Sequence, residues 1–90
     1  MTTTFTITET KKHSGANWVE GYIGEYHYQA LVFPCGSKFG IDDGNISKLW
    51  ICHQTTRKMV VNYDRGWDIE PTDENIKEMV DAIVDYYYAE

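Results

Sequence analysis

The sequence predicts an α+β domain: an antiparallel meander sheet of about five strands, with one C-terminal helix packed on one face. Two observations support this prediction. Short segments of alternating apolar and polar residues, separated by turn signals, fill the first two-thirds of the chain, as expected for half-buried strands. The last segment instead repeats apolar residues with the period of an amphipathic helix. Because 90 residues suffice for one core only, we expect residues 1–90 to form a single domain.

The first predicted strand lies within residues 3–10. Its stretch TFTIT alternates threonine with Phe5 and Ile7, which is the period of a strand with one buried face. The polar stretch KKHSGAN then predicts a loop.

A hairpin is predicted in WVEGYIGEYHYQALVF, with its turn at Gly24-Glu25, a Gly-X pair suited to a type II′ turn. This register sets Gly21 opposite Tyr28, whose ring would cover the bare backbone of the glycine. Six residues then share one face of the sheet: Val19, Gly21, Ile23, Tyr26, Tyr28 and Ala30. The other face carries Trp18, Glu20, Tyr22, His27, Gln29 and Leu31.

A second hairpin is predicted in FGIDDGNISKLWICH, since Asp43-Gly44 is a strong type I′ turn signal. It sets Ile41 opposite Ile46 and, if pairing persisted that far despite Pro34 and Gly36, Cys35 opposite Cys52. Both of those interrupting residues weaken regular pairing, so the cysteine pair stays open between a disulfide and two reduced core residues.

A third hairpin is predicted to turn near Thr55-Thr56 and to set Trp50 opposite Val61. It shares the strand 46–53 with the second hairpin, and the two registers agree about the faces of that strand. The predicted helix-facing set is Phe39, Ile41, Ile46, Trp50, Cys52, Met59, Val61 and Tyr63. A slip of one residue would move this apolar set to the other face.

The C-terminal helix is expected to begin after Pro71, with Thr72 as the N-cap and acidic residues in its first turn. Its apolar stripe is Ile76, Met79, Val80, Ile83 and Tyr87. The helix is predicted to pack on the sheet face that carries Trp50, Met59 and Val61. Tyr86 and Tyr88 flank the stripe, and we expect them to be partly exposed, as suits a protein interface.

The opposite sheet face is predicted to hold Leu49, Ile51 and Val60, beside Ser47, His53 and Asn62. This is more apolar area than a solvated sheet face usually carries. Either the sheet curls so that strand 3–10 packs over this face, or a second subunit covers it. The second alternative predicts a homodimer.

Charge is distributed unevenly along the chain. The net charge is −6, and residues 66–90 carry eight acids with Lys77 as their one base, against six acids and seven bases in residues 1–65. This balance argues against direct binding of nucleic acid, which requires a basic footprint. The acidic helix residues Glu74, Glu78, Asp81 and Asp85 form either a solvated face or a docking surface for a basic partner. No apolar run reaches membrane-spanning length and no signal-peptide pattern appears, so we expect a cytoplasmic protein.

The motifs of metal, cofactor and nucleophile chemistry are missing from the sequence, so it predicts no metal and no cofactor. His27 and Glu20 are expected on one face, which leaves a small enzyme built around His27 and Tyr28 as an alternative. The aromatic residues Trp18, Tyr22, Tyr26 and Tyr28 are interpreted either as sheet packing or as a stacking platform, for which the basic rim is thin.

The stretch Asp64-Arg65-Gly66-Trp67 has two interpretations. In the first it is a structural corner, where Gly66 lets the chain bend, Trp67 fills the junction between sheet and helix, and Arg65 reaches Asp68 or Glu70. In the second it is an exposed recognition corner that presents Arg65 and Trp67 to a partner.

Three sequence blocks resemble a family of small proteins from Gram-positive bacteria and their phages. They are W-V-x-G-x-I from Trp18, G-I-x-x-G-x-I-S-K-L from Gly40, and Y-D-R-G-W from Tyr63. The resemblance covers about residues 18–71 and implies a phage or prophage accessory protein without a catalytic assignment.

Together these observations predict a non-catalytic accessory protein that acts by binding an unidentified protein, as a homodimer. The expected contact residues are Arg65, Trp67, Glu74, Glu78, Asp81 and Asp85. One alternative is an acidic nucleic-acid mimic that blocks a DNA-binding protein, and the other is the enzyme that uses His27.

Overall fold

The α+β meander is confirmed, with six strands where about five were expected. A computed structural model describes residues 5–12, 17–34 and 36–88. Within these ranges the strands form one antiparallel sheet in chain order, and a short 3₁₀ turn, Ile41–Asp43, lies between the third and fourth. The elements are β1 (Ile7–Lys12), β2 (Trp18–Ile23), β3 (Tyr26–Val32), β4 (Ile46–His53), β5 (Met59–Asp64), β6 (Trp67–Ile69) and α1 (Glu74–Tyr86).

The β2–β3 hairpin has the predicted register, with Gly21 opposite Tyr28 and Val19 opposite Ala30. Gly24 has φ +58, the sign that a type II′ turn requires at its first central position. A Cβ on Gly21 would lie 2.8 Å from the Tyr28 hydroxyl, so the tyrosine does cover the glycine. Local turn chemistry and alternation were sufficient to predict this hairpin.

The second predicted hairpin is wrong. Two left-handed residues, Asp42 (φ 54) and Asp43 (φ 58), stand one position earlier than the predicted type I′ pair. They turn the chain within the 3₁₀ turn, where the Gly44 N–H donates to the Ile41 carbonyl at 2.9 Å. β4 pairs instead with β3. Ile41 does not face Ile46 across a ladder, although both side chains are buried.

Of the two cysteines, the structure describes Cys52. Cys35 lies outside the described residues, and so does the predicted pairing of Cys35 with Cys52. Cys52 itself is a free cysteine, and its Cα partners are His27 on β3 and Met59 on β5.

The β4–β5 register differs from the prediction by one residue over most of its length. Cys52 is opposite Met59 as predicted, but Trp50 is opposite Asn62, and Ile51 takes the place opposite Val61. The register shifts between Ile51 and Cys52, which is a β-bulge and leaves Val60 as the extra residue.

Because side chains alternate along a strand, this bulge exchanges the two faces of β4. Leu49 and Ile51, predicted on the far face, are fully buried in the core. Trp50 and Cys52 lie on the opposite face, and Phe39 and Met59 are exposed, so these four were wrongly assigned to the helix side. Val61 and Tyr63 are buried as predicted.

Strand β1 lies at the edge of the sheet. It pairs with β2, with Ile7 opposite Ile23, and its register shifts between Glu9 and Lys11. The expectation that strand 3–10 packs over the far sheet face is therefore wrong. The face away from the helix, called here the open face, carries Trp18, Glu20, Tyr22, His27, Gln29 and Trp50.

Helix α1 closes the core with its predicted stripe. Its N-cap is Asp73 rather than Thr72: the Asp73 carboxylate accepts a hydrogen bond from the Ile76 N–H at 2.8 Å. The buried core residues are Val19, Ile23, Tyr28, Ala30, Ile41, Ile46, Leu49, Ile51, Val61, Tyr63, Ile76, Met79, Val80 and Ile83. Among the described residues, no helix combines the length and apolar character that crossing a membrane requires.

Candidate functional site

A groove opens where the β5–β6 turn meets the connection between β3 and β4. Its volume is about 440 Å³, and most of its lining is apolar. We call it the corner groove. Its lining residues are Leu31, Phe33, Pro34, Gly36, Ser37, Phe39, Ser47 and Arg65.

Backbone and side-chain hydrogen bonds fix both sides of the corner groove. Arg65 has φ +60, and its N–H donates to the Ser47 carbonyl at 3.0 Å, which ties the turn to β4. The Tyr63 hydroxyl donates to the Phe39 carbonyl at 2.8 Å and holds the connection from the other side. Phe39 remains 45% exposed at the rim. The fold thus presents an apolar ring that it does not use for its own core.

Two cations contact the ring of Phe39. The Lys38 Nζ atom lies 5.3 Å from the ring centroid and the Arg65 Cζ atom 5.5 Å, both within cation–π range. The neighbouring Asp64 carboxylate lies 3.5 Å from the Lys48 Nζ atom. Acidic groups lie close by as well: burial, and then the negative charges of Asp42 and Asp43, raise the pKa of Tyr63, whose hydroxyl contacts the Phe39 carbonyl. The two cations over Phe39 suit a ligand group that joins an apolar body to a carboxylate.

The Asp64–Trp67 stretch is the hairpin turn between β5 and β6. Trp67 packs edge-on against Tyr63, with ring centroids 4.9 Å apart, and remains 38% exposed. It does not fill the junction between sheet and helix, so that part of the structural-corner interpretation is wrong. Arg65 lies over Phe39 rather than reaching towards Asp68 or Glu70. Arg65 and Trp67 are both exposed at this turn.

The four predicted helix acids remain on the outer side of α1. Glu74 is largely exposed and lies 3.6 Å from the Lys77 ammonium group. Partial burial, and then repulsion from Asp42, Asp85 and Glu78, raises the pKa of the Asp81 carboxyl. The 3₁₀ turn therefore adds Asp42 to the acidic surface of the helix, which sequence reasoning did not foresee. We call Asp42, Glu78, Asp81 and Asp85 the acidic face.

The open face carries a second, polar pocket of about 250 Å³. The His27 Nε2 atom lies 3.1 Å from the Glu20 carboxylate, and the His27 ring packs against Tyr22. The pocket is lined by Tyr22, His27, Cys52, His53, Gln54 and Arg57. Tyr28, the suggested partner of His27, is fully buried on the other face. Within the described part of the chain, no group of three or more His, Cys, Asp or Glu residues is placed to hold a metal ion.

The predicted aromatic platform is divided between the two faces. Trp18 and Tyr22 lie on the open face, while Tyr26 and Tyr28 point to the helix side. Trp18 instead stacks on Trp50, with ring centroids 5.2 Å apart and an angle of 30° between the rings. Sequence reasoning missed this pair because the β5 bulge carries no strong signal.

A hydrogen-bonded chain joins β1, β3 and the end of α1. The Tyr87 hydroxyl donates to the Glu9 carboxylate at 2.8 Å, and the Tyr28 hydroxyl lies 2.6 Å from the Tyr87 oxygen. Because each hydroxyl carries one proton, Tyr28 must donate to Tyr87. Burial, followed by these hydrogen bonds, raises the pKa of Tyr87 above its ordinary value of 10.0. Burial also raises the pKa of Tyr28.

From the hydrogen bonds that join Tyr28, Tyr87 and Glu9 we predict that the protein loses stability at alkaline pH. The unfolded chain releases the Tyr87 proton near pH 10.0, while the folded chain retains it. The contribution of Tyr87 to the free energy of unfolding should therefore be constant below pH 10.0 and fall as pH rises further, by up to about 1.4 kcal/mol per pH unit. Tyr87→Phe should make this fall shallower, and should cost about 1–3 kcal/mol at neutral pH because Tyr28 loses its acceptor. Urea denaturation at several pH values measures both effects, and the exposed Tyr22→Phe is the control. Equal alkaline slopes in the wild type and Tyr87→Phe would contradict this account.

The comparisons with known proteins give a family. No curated protein and no solved structure matches the chain. One family model, described as Domain of unknown function (DUF7678), matches residues 17–88, which contain β2–β6, α1 and the whole corner groove. The match covers most of the chain, and the protein therefore belongs to the DUF7678 family.

Proposed function

We propose that the protein is a non-catalytic accessory protein that binds another protein through the corner groove. One observation carries this proposal: an exposed phenylalanine, Phe39, lies under two cations at the mouth of an apolar groove. Arg and aromatic residues in such settings are typical of the residues that dominate binding energy. The resemblance to Gram-positive and phage proteins supports an accessory role in a phage or prophage, acting in the cytoplasm.

The chemistry of the corner groove defines the class of partner. An aromatic or branched apolar side chain would displace water from Phe33, Pro34 and Phe39, which contributes about 25 cal/mol for each Å² of apolar area buried. A neighbouring carboxylate would pair with Lys38 and Arg65. We therefore expect a peptide segment in which an aromatic residue stands next to Asp or Glu. Trp67 is exposed two residues after Arg65 and is a second candidate contact.

The acidic face supports a second candidate function, the acidic nucleic-acid mimic. The specific observation is that Asp42 joins Glu78, Asp81 and Asp85 across two separate elements. Its partner would be basic, and duplex DNA would compete for it. Catalysis by His27 is not part of the proposal, because Glu20 holds its Nε2 atom and Tyr28 lies on the other face.

Selection from a random peptide library on the immobilised protein tests the corner groove. We expect enriched peptides to combine an aromatic residue with Asp or Glu. Phe39→Ser and Arg65→Glu should each weaken their binding by about tenfold or more. Tyr22→Ser removes a similarly exposed aromatic residue from the open face and should leave the binding unchanged.

Two results would count against the groove. Peptides that bind Phe39→Ser as tightly as the wild type would exclude this site. Enrichment of basic peptides instead, lost on Glu78→Lys with Asp81→Lys and competed by duplex DNA, would transfer the function to the acidic face.

A further inference from the structure

We infer that the segment bound in the corner groove is residues 85–88 of a second copy of this chain, the last residues of α1 and the two that follow it; we call this segment the helix end. Two copies would then exchange their helix ends reciprocally and form a two-fold dimer. The inference rests on the proposed function, because it names the partner of the same groove. Three observations support it.

The end of α1 has the chemistry that the corner groove requires. Tyr86 and Tyr88 are 53% and 65% exposed, the largest exposures among the big apolar and aromatic side chains that the structure describes as exposed. Asp85, the residue before them, is also exposed. The intervening Tyr87 is held inside by Tyr28 and Glu9. The Tyr86 ring packs edge-on against Tyr87, with centroids 4.9 Å apart, yet Tyr86, Tyr88 and Asp85 all remain exposed around this anchor.

The charges of the two regions are complementary. The C-terminal quarter of the chain carries eight acids and one base, whereas the rim of the groove presents Lys38 and Arg65. One copy therefore contains both an apolar groove with two cations over Phe39 and an acidic, aromatic segment. Opposed charges of this kind orient two copies so that the helix end of one meets the groove of the other.

The groove and the helix end are neighbours on the surface. Phe33 and Pro34 line the corner groove, and they also line a second cavity of about 280 Å³ to which Tyr87 contributes. Phe33 and Pro34 thus lie between the corner groove and Tyr87 at the end of α1. A two-fold interface brings the same patch of both copies together, so each copy must carry both complementary halves close to the axis. This patch does.

Sedimentation equilibrium of the full chain tests the dimer. We expect the wild type to dimerise reversibly, with an apparent mass that rises with protein concentration. Phe39→Ser and Tyr88→Ser should each raise the dissociation constant by about tenfold or more. Tyr22→Ser removes an exposed tyrosine that lines neither the corner groove nor the cavity beside it, so it is the matched control and should dimerise like the wild type. Thermal unfolding of each variant verifies that the fold is intact.

A mixing experiment tests the exchange itself. In a mixture of Phe39→Ser with Tyr88→Ser, the groove of the second variant and the helix end of the first are both unaltered. A mixed dimer retains one complete contact, while each variant alone retains none. The mixture should therefore associate more tightly than either variant by itself, and the absence of this gain would overturn the reciprocal arrangement.

Failure of this inference is distinguishable from failure of the proposed function. A wild type that remains monomeric at every concentration, while library peptides still bind the groove, would remove the second copy as the partner and leave the groove as a protein-binding site. A monomer whose groove also selects no peptide would remove both.

Discussion

Leu49→Ala is expected to lower the free energy of unfolding by about 2–5 kcal/mol. Leu49 is completely buried in the centre of β4, between Ala30 of β3 and Tyr63 of β5. Truncation removes apolar contacts and leaves a cavity that two hydrogen-bonded neighbouring strands cannot easily fill. Domains of this size have a total stability of about 5–15 kcal/mol, so the variant should be close to unfolding at moderate temperature.

Urea denaturation with a matched neighbour measures this effect. Lys48→Ala removes a partly exposed side chain and one surface ion pair with Asp64, and should cost less than about 1 kcal/mol. Trp50→Leu loses the stacking on Trp18 and should cost an intermediate amount. A large loss for Trp50→Leu beside a negligible one for Leu49→Ala would mean that β4 has the register first predicted from the sequence.

Gly21→Ala is expected to cost about 1–3 kcal/mol, because it overpacks a close approach of two strands. A Cβ at this position would collide with the Thr8 carbonyl oxygen and would lie 2.9 Å from the Glu9 Cα atom and 2.8 Å from the Tyr28 hydroxyl. Two of these three atoms belong to the backbone of β1, so rotation of a side chain cannot relieve the collision. Strand β1 must move away from β2.

Hydrogen exchange measures where the strain appears. The amides of β1 should lose protection in Gly21→Ala, while those of β4 should lose much less. Gly66→Ala is the control, since a Cβ there has no neighbour within 4 Å, and its stability should change by about 1 kcal/mol at most. If the two alanine variants behave alike, the tight contact between β1 and β2 is not real.

The elements that were predicted correctly depend on local signals. The Gly24-Glu25 turn determines the β2–β3 register within a few residues, and the spacing of Ile76, Met79, Val80 and Ile83 determines the buried side of α1. In both cases the residues that interact are close in sequence or lie on one element. Physical rules of periodicity and turn chemistry are strong at that range.

The errors arise where distant segments meet. The bulge at Val60 inserts a residue without any glycine or proline to signal it, and it exchanged Leu49 and Ile51 with Trp50. The Asp43-Gly44 signal suggested a hairpin, but the left-handed pair lies one residue earlier. Strand β6 is only three residues long, too short for alternation to be recognised.

In the candidate site, too, residues marked by a local sequence signal were predicted, and residues brought together by long-range pairing were not. Arg65 and Trp67 could be named from sequence because an unusual cluster of charge, glycine and tryptophan marks a corner. Lys38 and Phe39 could not be assigned, since they reach the rim of the groove only when β3 pairs with β4 and the intervening connection folds back. A pocket formed by long-range pairing has no signature in a single stretch.

The two outer strands limit how this sheet can grow. Strand β6 is short, contains Asp68 and is followed by Pro71, while β1 has an irregular register and the lysines Lys11 and Lys12. Neither edge strand therefore offers an incoming strand a long, regular row of unpaired backbone N–H and C=O groups. The protein should therefore resist fibre formation and edge-to-edge stacking even at high concentration. Its assemblies should remain small, closed and governed by side chains.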